Sequence, residues 1–518
     1  MPKKVSKNDK LDYDADAFKD KINVDTEDVE SEDSKNIRRA INKYLFTARR
    51  FIYDKLIGDF KLDTKKAVSV EKIIHDSVRI AMINKFGHKE NSSVEFFWGC
   101  VQEDGKKNRE MFDNHRDFYS WAWTALTVPF YQSLGDTIGF YNGKFEFNDG
   151  NPNAGPEYVV EMLYKFIDLG GINDISITNL LASDDTILYM ATMDVLSHTS
   201  SRFDIQIIAN DFRVAYIDAL ELMDNRYPGD TTVSSLKTQK HIKWDALEYE
   251  SKATGNGSAM RTGCIGIFFP GKVNRTKLMK LAVENSRITH NSAIAILGSV
   301  TSALFTALAL EKNPVSTWPH KLIKFLKSET LESYMKTSRP KEYPMYFRDK
   351  DLYIGRWENY IRFRFLGKNP KLDIRYMKNL TERYSYLVKN FSKGYEQVGG
   401  WHADDAVIMA YDAVLQSEGS IEKVVIYSIL HPGDSDTVGS LALSWYGGYY
   451  HSMSREQTLG RLFEELEFGA KLRELLCKNV ANMARSYYYD IYIDMAYKKI
   501  DTIRKDQKEL LKPPRVSL

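Results

Sequence analysis

Gly433-Asp434-Ser435-Asp436-Thr437-Val438-Gly439-Ser440-Leu441-Ala442-Leu443-Ser444-Trp445-Tyr446 reads as an acidic, hydroxyl-rich start to a helix too apolar to face water. A second run of the same grammar, Ser183-Asp184-Asp185-Thr186, leads into Ile187, Leu188, Met190, Ala191, Met193, Val195 and Leu196. Four carboxylates are thereby aimed at surroundings where an unpaired charge is costly. Ser, Thr and Asp are the commonest helix N-caps, and acids in a first turn complement the helix dipole. A cap needs one side-chain oxygen, however, not three or four. The small residues Gly439, Ser440, Ala442 and Ser444 behind Thr437 allow a neighbouring helix to approach closely, which bringing two distant clusters together requires. A shared divalent cation is the simplest remedy for converging acids, and an all-oxygen donor set suits Mg²⁺, Ca²⁺ or Mn²⁺ rather than zinc.

Outward from these runs, helical periodicity dominates: 158–169, 186–197, 276–288, 292–311, 405–416, 438–450 and 456–478 all carry it. Val424-Val425-Ile426-Tyr427 and Ile265-Gly266-Ile267-Phe268-Phe269 are apolar runs too short for periodicity to assign. Residues 1–36 are charged and poor in apolar groups, which predicts a disordered tail. A helical appendage is expected over 37–117, with Ile41, Leu45, Ala48, Ile52 and Leu56 at helical spacing and a second helix over 70–86 that stops at Gly87. The Arg and Lys residues of its first helix fit a solvated face better than a nucleic-acid patch. The main all-α domain spans 118–482, and a Tyr- and Lys-rich helical tail follows over 483–518.

The 72 Lys and Arg residues nearly balance 70 Asp and Glu, which gives no support to nucleic-acid binding. The 3 cysteines, Cys100, Cys264 and Cys477, form no CxxC pair and indicate neither a disulfide framework nor a zinc site. No secretory leader and no run of ~18 consecutive apolar residues is visible. The expectation is a cytoplasmic or otherwise intracellular protein with no membrane partner, acting as a monomer. No Ser-His-Asp arrangement and no Walker-type loop occurs.

The clusters, taken with other motifs, resemble the ADP-ribosylglycohydrolases, specifically the ADP-ribosyl-arginine hydrolase branch. Gly135-Asp136-Thr137-Ile138-Gly139-Phe140-Tyr141-Asn142-Gly143-Lys144-Phe145-Glu146-Phe147 resembles that branch's opening motif, and Gly255-Asn256-Gly257-Ser258-Ala259-Met260-Arg261 its glycine loop. Asn285 to His290, Ser302 to Phe305 and Met409 to Leu415 follow at family-like intervals, so the resemblance covers roughly 118–480. It implies an orthogonal multi-helix bundle with two Mg²⁺ ions in a central cleft. Carried over residue by residue, Ser183, Asp184 and Asp185 would hold one ion, and Asp434, Asp436 and Thr437 the other. Glu146 matches an acid placed beside the reacting ribose. Gly229-Asp230-Thr231 resembles a substrate loop, and Tyr395 belongs to a segment resembling a nucleotide contact. One departure stands out: Asp404-Asp405-Ala406-Val407 replaces the His-Asp-Ala-Pro usual in the arginine branch.

The implied reaction removes ADP-ribose from an arginine side chain of a protein. Positive charge builds on the sugar, as in other glycoside hydrolysis, and nearby carboxylates stabilise it. Asp185 is the first choice to align water or polarise the ribose, and Glu146 the second. Gly255, Asn256 and Gly257 are read as a diphosphate cradle in preference to an ordinary turn. His290 is open between a substrate contact and a hydrogen-bonded structural histidine. Trp401 is open between adenine stacking and, the stronger default, rim packing. Alternatives for the whole chain are a hydrolase of serine-linked ADP-ribose or O-acetyl-ADP-ribose, and a non-catalytic ADP-ribose-binding protein. The four intact acids argue against the last.

Overall fold

The computed structural model describes residues 48–86, 116–147, 155–198, 203–367, 373–377, 379–392, 398–451 and 456–512. Among the described residues every regular element is helical, with isolated bridges joining Gly255 to His402 and Phe365 to Ile374. The elements used below are α1 (Thr64–Phe86), α2 (Arg116–Phe140), α3 (Asp184–His198), α4 (Ile205–Ala219), α5 (Asp230–Gln239), α6 (Ala259–Phe268), α7 (Arg275–Arg287) and α8 (Ala293–Leu310). They continue as α9 (Tyr343–Arg364), α10 (Leu380–Phe391), α11 (Ala403–Ser417), α12 (Ile421–Ile429), α13 (Ser435–Tyr450), α14 (Glu456–Glu465) and α15 (Gly469–Asp506). Both ambiguous apolar runs are helical, lying in α6 and α12.

α8 is the axis of the bundle. Its composition, rich in Ala, Leu and Ile, matches that of a membrane-crossing segment in length and hydropathy, yet all of it is buried inside the protein. Ser292 caps it by accepting the Ala295 N–H at 3.2 Å. α6, α7, α9, α11 and α13 pack around it. Each fully buried aliphatic side chain there contributes about 1.5–3 kcal/mol. Close approach depends on small residues: a Cβ at Gly266 would lie 2.3 Å from the Ala303 carbonyl oxygen. One at Gly298 would lie 2.7 Å from the Ala403 carbonyl oxygen.

The same device joins α2 to α13 and decides where the acids go. Gly135 and Gly139, one turn apart on α2, press against Gly439 and against Ser435-Asp436 on α13. A Cβ would meet backbone at 2.3 Å in the first case and 2.5 Å in the second. Of the small residues read from the sequence as an approach surface, Gly439 and Ser440 meet α2 at Gly135.

The appendage is helical at 48–58 and in α1; Ile41, Leu45 and the Met82 side chain lie outside the described residues. Ile52, Leu56, Val70, Ile74 and Val78 are buried. α1 packs on α15, where His75 Nδ1 meets the Tyr492 hydroxyl at 3.1 Å. Lys66 donates to the carbonyls of Glu509 and Lys512 at 2.9 and 2.5 Å. Arg49 grips Glu71 through two bonds of 2.7 and 2.9 Å. The disordered tail expected over 1–36 lies outside the described residues.

Two boundaries differ from expectation. The helix expected over 456–478 is two helices, because the chain turns at Leu466-Glu467-Phe468. Glu467 is drawn out of helical register to bind Arg226 and the Ala182 N–H, while Phe468 lies 5.3 Å from the Arg226 guanidinium. Conversely, α15 runs unbroken through residue 482, so no structural break separates a tail at 483 from what precedes it.

Candidate functional site

Asp184 and Asp185 open α3, and Asp434 caps α13 by accepting the Thr437 N–H at 3.2 Å. Asp436 accepts the same N–H at 2.8 Å. The two clusters, far apart in sequence, meet in space: Asp185 accepts hydrogen bonds from Thr437 at 3.1 Å and from Ser440 at 2.8 Å. Ser183 turns its hydroxyl back to receive the Asp185 N–H at 3.1 Å.

Glu146 reaches the same place by a strained turn. After α2 the chain passes through Tyr141, Asn142 and Gly143 with φ of 46°, 54° and 82°, and Phe147 has φ 45°. Left-handed backbone in three non-glycine residues costs energy and persists only where surroundings over-determine it. Here Asn142 accepts the Leu181 N–H at 2.8 Å, Tyr141 stacks on Phe145 and Phe147 N–H donates to the Gly433 carbonyl at 3.0 Å. The Glu146 carboxyl is thereby buried, and its Oε2 has no hydrogen-bond partner.

Asp136, to which sequence reading gives no role, is the hidden organiser. Its carboxylate lies on α2 yet caps α3 from outside, accepting the Ser183 N–H at 3.1 Å, the Thr186 N–H at 3.1 Å and the Thr186 hydroxyl. The signal was its place directly after Gly135 in the opening motif: the glycine brings α2 close enough for the acid to reach. Ser440 was legible only as a small residue.

The electrostatics are one-sided. Asp136, Glu146, Asp184, Asp185, Asp434 and Asp436 are all buried. Burial holds Asp184, Asp185 and Asp436 well above the ordinary carboxylate range, and repulsion among the acids adds to it. Glu146 is raised well above its usual value by burial first, then by Asp436, Asp434, Asp184 and Asp185. Burial also pushes Asp434 up to about 7. The opposing cation is Arg261, fully buried at 4.3 Å from the Tyr216 ring and bonded to Asn285. It lowers Asp184 but does not offset the rest.

This imbalance fits a hard divalent cation. The donors are carboxylate and hydroxyl oxygens, and the Glu146 oxygen lacks a partner. Among the described residues no three His, Cys, Asp or Glu side chains form a ready-made ligand group. The reason is visible: Asp136, Asp185 and Asp434 spend oxygens on neighbouring N–H and O–H donors.

The glycine loop is tied to the acid cluster through Asn256. The Asn256 N–H is engaged by the Trp401 carbonyl at 3.1 Å. Its side-chain amide donates to Asp434 at 2.8 Å and to the Gly400 carbonyl at 2.7 Å. Asn256 thus orients an acid of the cluster. Gly257 is required by packing, since a Cβ would lie 2.8 Å from Thr232 Oγ1 and 2.9 Å from His290 Cε1. His290 is buried under this loop, bonded to Thr289 at 2.8 Å, and burial lowers its pKa to about 3, which keeps it neutral. Trp401 is partly exposed and lies 4.1 Å from His402.

Gly229 is the N-cap of α5, with open space where a Cβ would stand. Asp230 is exposed, Thr231 half-buried. Tyr227, just upstream, packs on Phe140 and Gly143, and Thr232, just downstream, touches Gly257. The Gly229-Asp230-Thr231 segment therefore bridges the Glu146 turn and the glycine loop. Tyr395 lies outside the described residues. At the departure from the branch motif, Asp404 pairs with Arg356 at 2.9 Å. Asp405 closes a capping box by accepting the His402 N–H at 3.0 Å, so α11 starts without the missing Pro.

The family model for ADP-ribosylglycohydrolase matches residues 132–485, from the middle of α2 through α13 into α15. A protein of Acanthamoeba polyphaga mimivirus, L444, which carries the provisional name of ADP-ribosyl glycohydrolase, is 47% identical over 462 residues, covering 88% of each chain. The Dictyostelium discoideum protein named ADP-ribosylhydrolase ARH1 is 30% identical over 340 residues, covering 61% of this chain and 84% of that one. A solved structure titled an ADP-ribosylglycohydrolase-related protein complex overlaps with a TM-score of 0.43 at 16% identity, covering 71% of this chain and 99% of that chain. On the first three matches, the chain belongs to the ADP-ribosylglycohydrolase family of hydrolases.

Proposed function

We propose that the protein is a Mg²⁺-dependent hydrolase that removes ADP-ribose from arginine side chains by cleaving the bond between ribose and guanidine. The observation that carries this reading is the convergence of the two acid clusters, joined through Asp185 to Thr437 and Ser440, around a buried charge imbalance. Ser183, Asp184 and Asp185 on one side, and Asp434, Asp436 and Thr437 on the other, are the residues that would hold two ions. Bound there, the ions supply Lewis-acid clamping of ribose hydroxyls and acidification of a water. Asp185, restrained by two hydroxyls, aligns the attacking water and takes its proton. Glu146 faces the positive charge that develops on the ribose, where a buried carboxylate acts most strongly. The ribose–nitrogen bond breaks with its electron pair leaving on the guanidine, which departs neutral and is protonated afterwards, so no strong general acid is needed. Gly229, Asp230, Thr231 and Tyr395 are assigned to the substrate side, and Asn256 holds Asp434.

The choice of arginine rests on the Phe140-Tyr141-Asn142-Gly143-Lys144-Phe145-Glu146 run, the portion most like the arginine branch. The 30% identity to a protein named an ADP-ribosylhydrolase supports the coarser reading. The test is release of ADP-ribose from an arginine-modified protein compared with a serine-modified one, with Mg²⁺ and with excess EDTA. Mg²⁺-dependent release from the arginine adduct is expected. Release from the serine adduct alone would overturn the linkage, and undiminished release in EDTA would overturn the metal.

A further inference from the structure

The approach to the first acid cluster, residues 177–183, has no regular structure, yet four of its backbone donors are taken by side chains from distant elements. The Ile177 N–H goes to Glu465 at 2.9 Å, Leu181 to Asn142 at 2.8 Å, Ala182 to Glu467 at 3.0 Å and Ser183 to Asp136 at 3.1 Å. The Glu467 contact is the most elaborate. Its carboxylate takes the Arg226 guanidinium in a two-pronged bond of 2.7 and 2.8 Å. The same guanidinium donates to the Ala182 carbonyl at 2.5 Å and to the Leu222 carbonyl at 2.8 Å. The Arg226 carbonyl then receives the Asp184 N–H at 3.3 Å. Ala182 is therefore held through both its N–H and its carbonyl, and Asp184 through its N–H, by one ion pair. Phe468 covers the guanidinium at 5.3 Å, while the Glu467 carboxylate stays partly exposed.

We propose that Arg226 and Glu467 are positioning residues that fix the backbone of Ala182 to Asp184, and thereby set the metal affinity of the acid cluster. The proposal rests on the metal reading above. The geometry supports it in one respect: the chain entering the acid cluster lacks a helix or strand to fix it and depends on side-chain anchors, and among these Arg226 and Glu467 together hold Ala182 at both its N–H and its carbonyl. Arg–carboxylate pairs of this two-pronged form add direction as well as energy. Glu467 also sits at the turn that launches α15, the helix on which α1 packs, so the clamp ties that helix layer to the acid cluster.

The test uses the full chain with Glu467→Gln, which keeps size and removes charge, and Arg226→Lys, which keeps charge and removes the fork. Hydrogen exchange in EDTA reads the backbone without any metal. Peptides covering 182–186 should exchange at least about tenfold faster in either variant, while α13 peptides stay unchanged. Melting against Mg²⁺ concentration reads affinity without turnover, and the half-maximal concentration should rise at least about fivefold. Unchanged exchange over 182–186 in both variants overturns the clamp. Faster exchange with an unmoved Mg²⁺ midpoint overturns its role in metal affinity and leaves a structural tie. A wild-type protein that Mg²⁺ does not stabilise sinks the metal reading instead, and with it that role, while exchange still judges the clamp. If either single variant does not fold, the other, and the paired exchange Arg226→Glu with Glu467→Arg, supply the same readouts.

Discussion

Two regions of this bundle bury carboxylates equally well and treat them in opposite ways. On the far side of α11, Asp412 is gripped by Arg364 at 2.6 Å, Arg383 at 2.7 Å and the Tyr360 hydroxyl at 2.6 Å. Burial alone would raise its pKa, but the two guanidiniums outweigh it and hold the carboxyl below its ordinary value. At the α3–α13 junction six buried acids are all raised, and Arg261 lowers Asp184 without offsetting its burial. Burial is common to both regions, so it does not distinguish function from structure. Charge balance does. At Asp412 two guanidiniums serve one carboxylate, so cations are in excess, whereas at the junction the acids outnumber the one buried cation beside them.

The largest expected effect breaks the comparison at the junction. Asp184→Ala or Asp436→Ala should reduce Mg²⁺-dependent release of ADP-ribose by more than the ~10–100-fold that loss of an outer-shell partner costs. The same variants should melt, in EDTA, no lower than wild type, because each removes an unbalanced buried acid. Activity at the wild-type rate would end the metal assignment. Asp412→Ala should do the reverse. It strands two buried guanidiniums, at a cost of about 3–5 kcal/mol read by denaturant unfolding, and it affects activity only through the folded fraction. A loss near zero there would mean that water enters the site freely.

pH separates the regions further. For a carboxyl whose folded pKa is raised, the stabilising contribution is complete below the unfolded value and is lost as pH rises through the folded one. With Asp434 moved from 3.8 to about 7, and its neighbours also raised, the EDTA-treated protein should lose melting temperature as pH increases from about 4 to 7. Saturating Mg²⁺ should remove most of that slope. The Asp412 pair has a lowered pKa, so its contribution is present above the ordinary carboxylate value and lost only as pH falls below it. Asp436→Ala should therefore flatten the slope above pH 4, and a slope unaltered by that substitution would show that other groups produce it.

The comparison also explains what could be read from the sequence. The helical class and the two clusters were legible because apolar periodicity and acid-rich helix starts are local patterns. The close approach was legible because Gly439 and its small neighbours repeat along one helix. Arg261 and the Arg226–Glu467 pair were not, since each acts across sequence distances where nothing local marks the partner, and Asp136 was marked only by the glycine beside it. The turn at Glu467 was misread for the same reason: its residues suit a continuous helix, and an ion pair 241 positions away overrides them. The bond from the Asn256 side chain to Asp434 was likewise not legible, because its partner lies 178 positions away. Asp412 was seen only as part of a family motif, since pairing with arginines from α9 and α10 cannot be inferred from its neighbours.

The smallest effect, and the sharpest, concerns Glu146. It belongs to the junction by charge but differs from the other acids in standing on a strained turn, with a carboxyl oxygen that has no partner. If it waits for the cation that forms on the ribose, its contribution belongs to the transition state and not to bound substrate. Glu146→Gln keeps the size and removes the charge, so turnover should fall while ADP-ribose affinity, measured by calorimetry, stays within about tenfold, or ~1.4 kcal/mol. Mg²⁺ stabilisation should also persist, which would set Glu146 apart from Asp184 and Asp436. Wild-type turnover would remove Glu146 from the mechanism. A parallel loss of Mg²⁺ stabilisation would instead move it among the metal-holding acids, and the unpartnered oxygen would then mark a ligand.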